Sequence, residues 1–225
     1  MSRSSAFHRA LTDRPPGDIA RGVLLSEVFA ERTGDAAALG FVLAHLPRGG
    51  KPVLWLQDRL SRRETGRPYL AGSGQRPILL MDLARPADVL IAAEEGLGCS
   101  ALSAVVAEIW GDPAALSFTA TKRLAMRAEA AGVPCWLIRH GGSADLSAAR
   151  DRWRVGSRPS AADADDAQAP GDPRWHLDLF RSRDKQPGLW VAQHDRAADR
   201  ISLSAAVSDG TLAAGATPAG QRAAG

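Results

Sequence analysis

The segment Ala30-Glu31-Arg32-Thr33-Gly34-Asp35-Ala36 joins an apolar β-type run, Val23–Phe29, to an alanine-rich helical stretch, Ala36–Leu46. In a parallel α/β sheet, the turn from the first core strand into the first helix is a usual ligand site. A phosphate-binding loop at such a turn reads G-x-x-x-x-G-K-[ST]. Its glycines turn backbone N–H groups toward the phosphates, its lysine neutralises the β/γ oxygens, and its hydroxyl holds Mg²⁺. Of that pattern Thr33-Gly34-Asp35-Ala36 keeps one glycine, Gly34. Asp35 stands at the lysine position, Ala36 at the hydroxyl position and Ala30 at the first glycine, and the spacing is one residue short. A carboxylate in place of an ammonium repels a triphosphate. Asp35 is also where an N-cap belongs, so its oxygen can accept the free N–H groups of the following helix. Two readings stay open at this point: a phosphate loop that has lost its function, and a plain capped helix. Either way no nucleotide, cofactor or metal is expected.

Catalysis on a nucleotide would also need acids at later strand ends. Asp58 follows Val53–Gln57, and Glu108 follows Ala104–Ala107. Polar residues are common at strand ends, and without lysine and hydroxyl these acids have no nucleotide to act on. The five histidines form no metal-binding pair, and Cys99 and Cys135 have no ligand or redox spacing. The stretch His140-Gly141-Gly142-Ser143-Ala144-Asp145 holds the residue types of a hydrolytic triad, but adjacency in sequence does not make one, and it reads as a loop. No catalytic residue is expected.

Two arginine-rich stretches could form a surface for a partner or for DNA. One, Arg59–Arg67, includes Arg62, Arg63 and Arg67; the other carries Arg152 and Arg154 between Arg150 and Arg158, alternating along a strand so that several share one face. Such runs are also found as solvated faces. Trp55, Trp136 and Trp190 fall in strands and read as core. Trp110, Trp153 and Trp175 are placed where they could pack a rim or anchor a partner.

These residues need elements to hold them. Beyond the first strand and helix, Pro52–Leu56, Ile78–Met81, Leu102–Ile109 and Cys135–Arg139 read as strands. Ala87–Leu97 and Thr119–Ala131 read as helices, the second capped near Ser117 or Thr119 and ended by Gly132. The alternation predicts an α/β fold, a mostly parallel sheet flanked by helices. Trp153–Val155, Trp175–Arg181 and Leu189–Gln193 follow without helices, which predicts an antiparallel C-terminal extension. Arg158–Pro173 reads as a loop. Three regions follow: a short N-terminal segment 1–22, an α/β domain 23–195, and a disordered Ala/Gly-rich tail 196–225.

Composition agrees with an ordinary globular chain: 225 residues, 45% hydrophobic, 24% charged and a net charge of +3. No apolar run has the roughly 18 residues of a membrane helix, and the first residues lack the apolar core of a signal peptide. A cytoplasmic protein with no membrane partner is expected.

Several blocks, in order, carry a family resemblance. They are Thr33–Phe41; Val53–Arg59 with Gly66-Arg67-Pro68-Tyr69; Glu108–Pro113 leading into Thr119–Leu124; Gly132-Val133-Pro134; Leu137–His140; Trp153-Arg154-Val155; and Pro187-Gly188-Leu189-Trp190. Over about Leu24 to Asp195 the chain resembles the ImuA family, RecA/SulA-like proteins of bacterial mutagenesis cassettes. The resemblance implies a RecA-like sheet and a non-enzymatic accessory role in damage-induced (SOS) error-prone translesion synthesis. The partners it implies are an ImuB-like protein, RecA and a DnaE-type error-prone polymerase. Direct DNA contact and nucleoid association within the complex are compatible with it. A SulA-like division inhibitor and a RecA-like ATPase with an unconventional loop are the alternatives. The chain departs from the family in its short leading segment and its small-residue tail.

Overall fold

A computed structural model of the chain describes residues 24–69, 76–166, 168–198 and 200–205. Among these residues nine strands form a single sheet in the order β3-β2-β4-β5-β1-β6-β7-β8-β9. They are β1 (Leu25–Ala30), β2 (Val53–Asp58), β3 (Ile78–Leu83), β4 (Ala104–Trp110), β5 (Cys135–His140), β6 (Asp151–Arg158), β7 (Arg174–Ser182), β8 (Gly188–Asp195) and β9 (Arg200–Ala205). The helices are α1 (Ala37–His45), α2 (Arg59–Thr65), α3 (Pro86–Leu97) and α4 (Phe118–Ala131). Pairings from β3 through to β6 are parallel, and those from β6 to β9 are antiparallel. This is the predicted α/β architecture, a mostly parallel core with antiparallel strands on its C-terminal side.

Three differences from the sequence reading have local causes. The strand around Trp153 belongs to the parallel core, because β6 pairs with β1 and only its other edge begins the antiparallel region. The Arg59–Thr65 stretch is a helix of its own, started by Asp58, whose side chain accepts the Ser61 N–H. The paired body does not stop at 195: β9 adds to β8, with Asp195↔Arg200 at the turn and Trp190↔Ala205 at its end. The tail boundary at 196 is therefore corrected. The remainder of the predicted tail, 206–225, and the leading segment through 23 lie outside the described residues.

Alternation along each central strand sends side chains to two separate cores. On one face Phe41 of α1 is fully buried among Trp153, Trp136 and Trp175, with ring centroids at 5.4, 6.1 and 6.2 Å. Trp55, Trp190 and Val28 belong to the same core. On the other face Leu90, Ala93 and Leu97 of α3 and Leu124 and Ala128 of α4 cover Leu25, Leu56, Val105 and Leu137. The α3 helix presses onto the sheet at Gly96, where a Cβ would fall 2.5 Å from Leu54 Cδ2. Gly132 ends α4 at φ 67, the left-handed conformation that a terminal glycine accepts without strain. These two layers fix β1 between β5 and β6, with its C-terminal end opening onto the turn into α1.

Candidate functional site

The strand order reverses direction at β1: the chain leaves it toward β2, and β6 later returns to its opposite side. Such a switch point is where an α/β sheet opens a crevice. The Glu31 N–H donates to Val155 O at 2.8 Å, so the turn begins bound to β6. Contact continues at Gly156, where a Cβ would lie 1.6 Å from Glu31 Oε2. Gly34, at φ 80, then turns the chain back toward α1.

Asp35 closes this turn. The N-cap of α1 is Ala36, one residue later than the sequence suggested, and no side chain caps the helix there. One Asp35 oxygen instead accepts the Ala37 N–H at 2.9 Å across two residues, which still satisfies a free donor at the helix start. The same carboxylate accepts the Ser157 N–H of β6 at 2.9 Å and a short hydrogen bond from the Ser157 hydroxyl. Arg32 lies 3.9 Å away. Burial alone would raise this carboxyl, but the Ser157 hydroxyl and N–H, the Ala37 N–H and Arg32 outweigh it and hold the group below its ordinary value. Thr33, Gly34, Asp35 and Ala36 thus sit together at the end of β1. The Asp35 carboxylate occupies the helix start, the place a phosphate would take, and ties it to β6.

The two strand-end acids are also committed. Glu108 is fully buried; Trp55 Nε1 donates to Oε1 at 2.5 Å, and His140 Nε2 lies 3.0 Å from Oε2. Trp110 stacks on the His140 ring, with centroids 5.9 Å apart. Asp58 is buried as well: one oxygen caps α2 and the other accepts the Trp110 N–H at 3.1 Å. Each acid therefore ties neighbouring parts of the sheet together and presents no exposed carboxylate.

On the opposite face lies an ionic group of which the sequence had pointed only to Arg152, and to that as a surface residue. Glu27 of β1 is fully buried, with Arg152 Nε at 2.6 Å and Arg139 Nη1 at 3.7 Å. Arg139 also reaches Asp112 at 2.6 Å and donates to Gly111 O at 3.0 Å. Both guanidinium groups lie over Phe29, at 5.3 and 5.4 Å from its centroid. Burial pulls the Arg139 guanidinium down from its usual value, while Glu27 and Asp112 oppose that shift. The Asp112 carboxyl is held low despite its own burial, by hydrogen bonds from Ser143 and by Arg139. Glu27, Arg139 and Asp112 line a cavity of about 220 Å³ together with Thr121, Asp145 and Ser147. The available signal was charge inside apolar strands: Glu27, Arg139 and Arg152 all point to one face by alternation.

The expected arginine surface is divided by the fold. Arg152 is corrected from surface to interior: its side chain is 4% exposed and neutralised by Glu27. Arg154, two residues on, is 45% exposed; it pairs with Asp178 at 3.3 Å and lies over the Phe180 ring. Arg62 and Arg67 reach Asp82 of β3 at 3.1 and 2.5 Å, and Arg63 reaches Glu64 at 3.2 Å. With Arg59 these three line a surface hollow of about 400 Å³. Trp153, Trp175 and Trp190 are buried in the core.

No cluster of three or more metal-ligating side chains occurs among the described residues, and no described helix is long and apolar enough to cross a membrane.

These features define an α/β domain whose switch-point turn is held closed by its own carboxylate. The chain is 32% identical over 162 residues to Protein ImuA from two strains of Caulobacter vibrioides, a match covering 67% of this chain and 63% of those proteins. That similarity supports membership in the ImuA family, as the sequence blocks implied. The matched region spans just under two thirds of the length of these relatives. No established family profile matches the chain.

Proposed function

We propose that this protein is a non-enzymatic accessory factor in damage-induced mutagenesis and error-prone translesion synthesis. It acts by binding RecA, an ImuB-like protein or both, and through them a DnaE-type polymerase. The observation that carries the non-enzymatic part is Asp35. It takes the helix start for its own carboxylate, held by Ala37 and Ser157, in a loop that has no lysine. The similarity to Protein ImuA supports the process. Contact with DNA, direct or through the partners, would bring the protein to the nucleoid.

Two measurements test this. Copurification of RecA or an ImuB-like protein with the tagged full chain from DNA-damaged cells is expected. Recovery of neither, together with filamentous growth on overexpression, would point instead to a division inhibitor. Equilibrium dialysis with labelled ATP and Mg²⁺ should show no saturable binding. Micromolar saturation would overturn the argument from Asp35.

A further inference from the structure

β3 ends the sheet, and among the described residues it is paired on one side only, with β2. An open strand edge offers a row of unpaired N–H and C=O groups, and proteins commonly blunt it with lysine, proline or a bulge. β3 (Ile-Leu-Leu-Met-Asp-Leu) carries no lysine or proline, and its register with β2 runs unbroken from Ile78 to Leu83. Leu79 and Met81, on one face of the strand, are 53% and 43% exposed. Their β2 partners on the same face, Leu54 and Leu56, pack into the α3 core, so the apolar surface runs outward past the last strand. The arginine hollow adjoins the end of this edge, because Arg62 and Arg67 both reach Asp82 of β3. One carboxylate thus serves two arginines and Glu64 faces a third, which leaves the hollow positive.

We propose that the β3 edge and the arginine hollow together dock an extended segment of a protein partner. That segment would be alternately apolar and would end in acidic residues. The segment adds a strand beside β3, places alternate side chains on Leu79 and Met81, and sets its acidic end among Arg59, Arg62, Arg63 and Arg67. A nucleic acid would use the arginines but not the backbone ladder or the leucine and methionine. The proposal rests on the function above only in taking the partner to be a protein.

The test measures fluorescence anisotropy of a labelled peptide, Val-Thr-Val-Thr-Val-Asp-Asp-Glu, with the full chain. Saturable binding is expected. N-methylation of alternate peptide amides, which removes ladder donors, should weaken it about tenfold or more, as should Leu79→Lys combined with Met81→Lys, both at exposed positions. Arg63→Glu should weaken the acidic peptide and strengthen one ending in lysines. Absence of saturation, or equal affinity after N-methylation, would overturn the proposal. So would displacement of the peptide by a single-stranded oligonucleotide whose own binding ignores the Leu79 and Met81 changes. A dimer in sedimentation that those changes dissociate would assign the edge to a second copy and overturn it too. The assay contains neither RecA nor an ImuB-like protein, so its failure and a failed copurification are separate results.

Discussion

Replacing Asp35 by alanine removes the group that joins the α1 start to β6. Loss of the hydrogen bond from the Ala37 N–H costs about 1 kcal/mol. Loss of the charge-assisted hydrogen bonds from Ser157 adds about 1.5 to 3 kcal/mol, for a total of about 3 kcal/mol. At roughly 2 to 4 °C per kcal/mol for a domain of this size, the thermal midpoint should fall by about 6 to 12 °C. Asp35→Asn keeps an acceptor oxygen but loses the charge, and should fall between wild type and the alanine variant. The pH dependence has a definite sign. The folded carboxyl is held below its ordinary value of 3.8, so the unfolded chain takes up the proton more readily as pH falls. The stabilisation is therefore complete well above that ordinary value and fades as pH drops through the lower folded one. Urea denaturation followed by tryptophan fluorescence at pH 7 and at successively lower pH reads both effects. A loss below about 0.5 kcal/mol at pH 7, within the range of an ordinary surface change, would refute this account of the turn. So would a gap between wild type and Asp35→Ala that widens on acidification.

Glu27→Ala leaves Arg139 and Arg152 buried without their shared carboxylate and should cost about 3 to 5 kcal/mol in the same denaturation experiment. Glu108→Ala should destabilise the chain by several kcal/mol, about as much as losing a buried hydrogen-bonded pair. The isosteric, uncharged Glu108→Gln should cost less, and the change should register in the emission of Trp55. A thiol reagent should label Cys99, which is exposed, in the native protein. Cys135 should react only after unfolding, because burial pushes its thiol up to about 12.

Much of the fold was legible because periodicity and capping act locally. Apolar runs such as Leu102–Ile109, alanine-rich stretches such as Thr119–Ala131 and the stop at Gly132 announce a parallel α/β sheet without reference to distant residues. The last strand was not read from the sequence: Arg200–Ala205 is only six residues long, and it is the edge of β8 that gives it a partner and packs Ile201 and Leu203 against the core. The arginines show the same division. Composition could locate Arg152 and Arg154 on one face of one strand. It could not foresee that β6 would lie beside β1, burying the first against Glu27 and leaving the second at the rim.

By itself, then, the sequence determined that no lysine stands in the turn after β1 and that a carboxylate lies just before α1, within reach of its first N–H groups, because such contacts depend on neighbours along the chain. Only the tertiary structure decided what else that carboxylate holds. Ser157 lies 122 positions away, and Arg152 lies 125 from Glu27. No local pattern encodes such pairs; they form when β6 crosses to the far side of β1 and two cores lock the strands in register. That packing made Asp35 a clasp and Glu108 a buried brace. Among the described residues it left β3 paired on one side only, with Leu79 and Met81 exposed.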